Sequence, residues 1–327
     1  MISRVAESCF WLHRYLERAE CVARMLGVNR LFLLDVTVTP EDRWLPLLTV
    51  SGEQSRFASL FGDSAHLDGE LVQDYLTWNC DNPVSIATCI HWARENARQI
   101  REVVGLEMWE TINAVWQWLQ NTRTRKLYYS DRDGFFRHVR DTVSTVHGVC
   151  HDTLLHDEPF DFMRLGMLLE RAGQTARALD ARHHMFGGDA ADISAADAPA
   201  ETAQWMALLR SCSAQDPFAR WVRGAPTRAD IVKFLLKEES FPRSVLHCID
   251  RASNFLGRIR SRQKSHKGTE LTTGLARIVE PLRYKPITTI LEEGLHDELT
   301  RFISGLAEVN EGVGSEFFGP GVPEELA

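Results

Sequence analysis

The chain has 327 residues, 44% hydrophobic and 25% charged, a balance that suits a packed globular core rather than a disordered polymer. No apolar run approaches the length of a bilayer span, so membrane insertion is not expected. A net charge of −8 argues against a duplex nucleic-acid partner, which needs a concentrated basic face.

The first twenty residues, MISRVAESCFWLHRYLERAE, contain neither an apolar signal core nor a small-residue cleavage site, which predicts a cytoplasmic protein. Helical periodicity begins at once. Val5, Cys9, Leu12, Leu16, Ala19, Ala23 and Leu26 recur every three or four residues, the apolar stripe of one amphipathic helix over residues 2 to about 30. FLLDVTVT (residues 32–39) is β-branched enough to suggest a strand, but a lone strand has no partner.

A second helix is predicted from DNPVSIATCIHWARENARQIREVVG, with Asn82 as N-cap and Pro83 at the first helical position, where a missing N–H costs nothing. Its seam is Ile86, Ile90, Ala93, Ala97, Ile100 and Val104, and Gly105 is a natural interruption before LEMWETINAVWQWLQ. Trp109, Trp116 and Trp118 in that segment suit core packing better than base stacking. In VHGVCHDTLLHDE, His147 and His151 have an i,i+4 spacing that one helix can present to zinc, with Cys150 and His156 nearby. With no HExxH and no second ligand pair, ordinary helix histidines are the reading, and no metal or other cofactor is expected. Seven scattered cysteines without a CxxC fit reduced, mostly buried thiols.

The second half repeats the first. YLERAECVARMLGV at residues 15–28 reappears as LLERAGQTARALDA at 168–181, placing Glu17 and Glu170 153 positions apart. NPVSIATCIHWARENARQIR matches FPRSVLHCIDRASNFLGRIR, with Pro83 and Pro242 159 apart. Two matches at nearly one offset indicate a duplication. Neither copy alone covers its apolar face, so the expected fold is all-α: one helical bundle of residues 1–313, built from two similar halves (about 1–150 and 151–313) with pseudo-twofold symmetry. GGDAADISAADAPAET (187–202) reads as an exposed connector, and residues 314–327 as a flexible tail that Phe317 and Phe318 can dock.

At 100° per residue, His13, Glu17, Glu20 and Arg24 flank one side of the first stripe, and Arg14 and Arg18 the other. The second copy keeps Glu170, Arg171 and Arg177 but replaces Glu20 by Gly173, His13 by Gly166 and Arg14 by Met167. If the two helices face each other, Glu17 pairs with Arg171 or Arg177, and Glu170 with Arg18 or Arg24. The alternative makes the first copy one wall of a ligand site, its arginines holding a carboxylate or phosphate. In ARENAR, Arg94, Arg98 and Arg101 form a basic face, with Arg98 in reach of Glu102, while Asn96 lies near the buried side and needs partners.

SRVAESCFWLHRYLERAECVARML, WLPLLTVSGE, the ARENAR and EMWE region and FDFMRLGMLLERAGQTARALD resemble, in that order, the bacterial alpha-E family, a predicted helical domain with a recurring ER motif. The likeness covers nearly the whole chain. It implies an all-helical protein of unassigned activity, encoded beside or fused to circularly permuted ATP-grasp ligases, and hence a role in ATP-dependent amide or peptide-bond formation. By the same resemblance the ER positions fall on Glu17 and Arg18, and on Glu170 and Arg171; the ARENAR and EMWE positions fall on Arg94, Glu95, Asn96, Arg98, Glu107 and Trp109. The chain departs from the family's LGRYLERA at His13, Met167 and Leu168. The leading expectation is an accessory subunit of an ATP-grasp ligase, without catalysis of its own. An amide-transfer or hydrolytic enzyme using Glu17 or Glu20, and a dimeric scaffold, are the alternatives.

Overall fold

A computed structural model describes residues 3–36, 39–185, 198–263 and 267–319, and every element among them is helical. The first series runs α1 (Ser3–Asp35), α2 (Pro40–Ser51), α3 (Gln54–Phe61), α4 (Gly69–Trp78), α5 (Ile86–Gln99), α6 (Arg101–Gln120), α7 (Thr122–Ser130) and α8 (Arg132–Thr153). The second runs α9 (Glu158–Met185), α10 (Ala198–Ser211), α11 (Gln215–Trp221), α12 (Arg228–Lys237), α13 (Val245–Gln263), α14 (Thr269–Tyr284), α15 (Ile287–Glu293) and α16 (Leu295–Val313). Among the described residues no helix is long and apolar enough to cross a membrane.

The two ER helices, α1 and α9, pack on each other at the centre; α5 and α8 flank α1, while α13 and α16 flank α9. The stripe from Cys9 to Leu26 is buried as its period predicts, and Leu165, Leu169, Ala172, Ala176 and Leu179 supply the facing surface. Small residues set the spacing. A methyl group on Gly166 would lie 2.3 Å from the Phe10 carbonyl oxygen, so the two backbones touch at this glycine, four residues before Glu170.

Several boundaries differ from expectation. α1 continues through FLLD to Asp35, because Phe32 has a buried surface to join. α5 begins at Ile86, three residues beyond Pro83: Ser85 is the N-cap and accepts from the Thr88 N–H at 3.1 Å. Asn82 is not the cap. Its side chain accepts from the Val84 N–H (2.9 Å) and donates to the Tyr75 carbonyl (3.0 Å), building the turn that leads into the helix. The matching segment before α13 repeats the serine bond but not those of Asn82, whose place Phe241 takes: Ser244 accepts from the His247 N–H, and the Cys89 and Cys248 thiols alike donate to the Pro83 and Pro242 carbonyls. The long helix breaks at Ile100 as well as at Gly105, whose φ of 72° suits glycine.

Beyond Val313 the chain folds into a π-helical turn, Gly314–Phe318, where Phe317 is buried with its ring centre 5.4 Å from that of Phe162 and the Phe318 ring lies tilted 5.5 Å from that of Phe10. Residues 320–327 of the expected tail lie outside the described residues, as do 187–197 of the expected connector; α10 starts inside the remainder.

Candidate functional site

The ER helices exchange their charges. Arg18 donates to Glu170 through Nε at 2.9 Å and Nη2 at 3.0 Å, and Arg171 donates to Glu17 through the same two nitrogens at 2.7 and 2.8 Å. Each is a two-pronged guanidinium–carboxylate pair, the geometry that makes arginine rather than lysine the residue for such a contact. Midway, the Cys21 thiol donates to the Gln174 side-chain oxygen at 3.7 Å, joining positions that lie four residues after Glu17 and Glu170 respectively.

Around this shared frame the two carboxylates recruit different company. Glu170 also accepts from Arg14 (Nε 3.1 Å, Nη2 2.8 Å) and from the Gln174 amide (3.0 Å), with Arg177 at 4.0 Å. Arg14 lies 4.6 Å from the Trp11 ring centre, which covers its face. Glu17 accepts from Arg243 Nη1 at 3.0 Å and has His147 Nε2 at 3.5 Å; Arg243 Nη2 donates to Glu20 at 3.2 Å, and Arg24 closes on Glu20 from one turn away. Of the two pairings open to each glutamate, Arg171 and Arg18 are realised. Arg24 serves Glu20 instead because both lie on α1, and Arg177 only approaches Glu170.

Burial alone would raise the Glu17 carboxyl, but Arg171 and Arg243 outweigh it and hold it well below the ordinary carboxylate range; Arg18 and Arg14 do the same for Glu170. Both carboxylates are 1% exposed. Three carboxylates here face six guanidiniums, those of Arg14, Arg18, Arg24, Arg171, Arg177 and Arg243, so the seam carries a positive excess. Arg24 registers it: burial and the nearby Arg243 and Arg140 bring its pKa down to about 9. His13 is fully buried beside His147, ring centres 5.1 Å apart, and both imidazoles are pushed below the usual histidine value, by burial first.

The ARENAR group forms a separate surface between α5 and α6. Arg94 donates to Asn113 (2.8 Å) and Glu95 (2.5 Å) and sits 4.3 Å from the Trp116 ring centre. Arg98 pairs with Glu95 at 2.8 Å, not with Glu102, because the break at Ile100 removes the i,i+4 register. Asn96 satisfies its amide on the Trp92 carbonyl at 2.8 Å, and the Glu107 side chain is exposed. No hydrogen bond or ion pair among the described residues links this group to the ER seam. His147 points to Glu17, while His151 meets Asp152 and His156 stacks on Phe160, so their spacing does not converge. Among the described residues no group of three or more His, Cys, Asp or Glu is placed to hold a metal.

Arg243 is the residue that sequence reasoning missed. It follows Pro242 where the first copy has Val84 after Pro83, and this divergence inside an otherwise matching motif was the available signal. Arg243 also lines a cleft of 520 Å³ together with Ser213, Arg220, Trp221, Phe234 and Phe241. The cleft and the ER seam are thus joined through one side chain.

Fold and site together define an all-helical protein with a buried, reciprocal Glu–Arg exchange between its two central helices. The chain belongs to the Alpha-E family, described as a predicted alpha-helical domain with a conserved ER motif, which matches residues 1–318. It is also similar to uncharacterised proteins of Mycobacterium bovis and of two Mycobacterium tuberculosis strains, 22% identical over 326 residues, covering 93% of this chain and 35% of each relative. The chain therefore spans about a third of the length of the curated relatives it matches. No solved structure gives a significant match.

Proposed function

We propose that this chain is a helical accessory module of an ATP-grasp-type amide or peptide ligase system, binding the ligase, its substrate or its intermediate. The observation that carries this reading is the saturation of the ER carboxylates. Glu17 and Glu170 each hold at least two guanidinium donors in a buried seam and stay ionised, whereas a general acid or base needs a carboxyl tuned toward the working pH and in reach of substrate. The motif thus reads as architecture rather than as a catalytic pair. The ATP-grasp partner comes from the family resemblance, and the greater length of the mycobacterial relatives fits a module that also occurs within longer polypeptides.

The same proposal treats the body as two similar halves about a pseudo-twofold axis. Its supports are the reciprocal Arg18–Glu170 and Arg171–Glu17 pairs, the Cys21–Gln174 contact between equivalent positions, and the parallel packing of α5 and α8 on α1 and of α13 and α16 on α9. The test is co-purification of the chain with the ATP-grasp ligase encoded beside it, together with ligase turnover measured with and without the chain. Association with a change in turnover is expected; absence of both overturns the proposal.

A further inference from the structure

We infer that the cleft between α11, α12 and the turn preceding α13 binds a small organic carboxylate whose flat apolar body lies against the Trp221, Phe234 and Phe241 wall.

Three independent features converge there. The first is charge: Arg243 and Arg220 both line the cleft, and Arg220 is exposed and makes no ion pair among the described residues. Glu17 takes one N–H of Arg243 Nη1 and Glu20 one of Nη2, which leaves further donors on the same planar fork. The second is Ser213. It is the one non-glycine among the described residues with a positive φ (53°), it ends α10 in the left-handed conformation that glycine usually supplies, and its buried hydroxyl oxygen has no hydrogen-bond partner. The unmet hydroxyl lies closed beneath the cleft wall, and a turn of the short side chain would bring it to the cleft, where an acceptor from outside can meet it. The third is the wall itself, with Phe234 stacked on Phe241 at 4.8 Å and Trp221 5.3 Å from Phe234.

The combination selects the ligand class. Polyphosphates are usually cradled by rows of backbone N–H groups and several cations. Two arginines, one hydroxyl and an aromatic wall instead suit a singly charged carboxylate on an apolar body, and a cleft of 520 Å³ matches a molecule of that size. Glu17 and Glu20 hold Arg243, so its fork is fixed before a ligand enters, which lowers the ordering cost of binding.

The test is titration calorimetry of the full chain with N-acetyl-L-phenylalanine, its neutral amide, and inorganic phosphate. The carboxylate is expected to bind saturably, with the amide and phosphate each at least about tenfold weaker. Arg220→Ala is expected to weaken the carboxylate about tenfold with an unchanged melting temperature. Ser213→Gly is expected to melt at or above the wild-type temperature, because strain is relieved, while binding several-fold more weakly. This split is one that a merely structural serine would not produce. No saturable binding, an amide or phosphate that binds as well as the acid, or two variants that bind like wild type would each overturn the assignment. The experiment uses no ligase, so its failure and the failure of the accessory-module reading are distinguishable.

Discussion

Glu170 and Glu17 stand at matching places in the two ER segments, yet they are unlike hubs. Glu170 is sealed, with Arg14 and Arg18 from α1 covering both oxygens, Trp11 covering Arg14, and Gln174 closing the remaining side. Glu17 is connected, sharing Arg243 with Glu20, and Arg243 also lines the cleft between α11 and α12. The common half of each hub, the two-pronged arginine, keeps the helices in register. The divergent half decides whether the hub ends in packing or leads outward.

The difference can be broken most severely at Glu170. Glu170→Ala strands Arg14 and Arg18 in the core and is expected to cost about 3–5 kcal/mol in chemical denaturation. Glu17→Ala should fall below it, because Arg243 retains Glu20 as a partner. Equal losses for the two would erase the distinction between sealed and connected hubs. Replacing Glu170, Arg14 and Arg18 together by leucine should restore most of the stability, since an apolar seam of similar volume avoids the desolvation of buried charge.

Gly166→Ala is the next largest effect. The added methyl meets the Phe10 backbone, and about 1–3 kcal/mol of overpacking cost is expected in the same assay. Arg243→Ala is expected to cost less, about 1–2 kcal/mol, because Arg171 stays on Glu17 and Arg24 on Glu20; a larger loss would mean that Arg243 rather than Arg171 anchors the connected hub.

The smallest effect is the finest probe, the dependence of melting temperature on pH. His13 and His147 have native pKa values below the ordinary 6.5, so the folded state binds fewer protons than the unfolded one. Their contribution is complete above about pH 6.5 and is lost as pH falls from there toward the native values. Glu17 and Glu170, also depressed, contribute above the ordinary carboxylate pKa and lose that contribution at still lower pH. Two descending phases are therefore expected, and a His13→Leu, His147→Leu variant should lose the upper one. If the upper phase persists in that variant, the histidine pair is not its source.

Much of this was legible in the sequence, and the gaps have physical causes. Periodicity sufficed for α1 and α5, each of which carries a continuous apolar stripe, and the matching segments marked α9 and α13; that α1 and α9 are buried on nearly every side shows only in their packing, while the repeated ER already implied charges crossing a seam. The Asn82–Pro83 start failed because an asparagine before proline builds a turn as readily as a cap, and the choice lay with Ser85, two residues further. The Arg98–Glu102 pair failed because nothing local marks Ile100 as a break. Arg243 escaped because it sits in a loop 226 positions from the glutamate it serves, and helical spacing cannot reach across that separation. Ser213 was equally silent, since its significance lies in a backbone angle rather than in its identity.

The contact at Gly166 has a consequence for how such a seam can change over time. With backbone resting on backbone, the interaxial distance works as a fixed gauge, and every side chain spanning it must be cut to that length. Drift in charge at the seam is therefore constrained by reach before sign: a lysine in place of Arg18 or Arg171 keeps the charge but surrenders one of two prongs, and the helices have no slack with which to compensate.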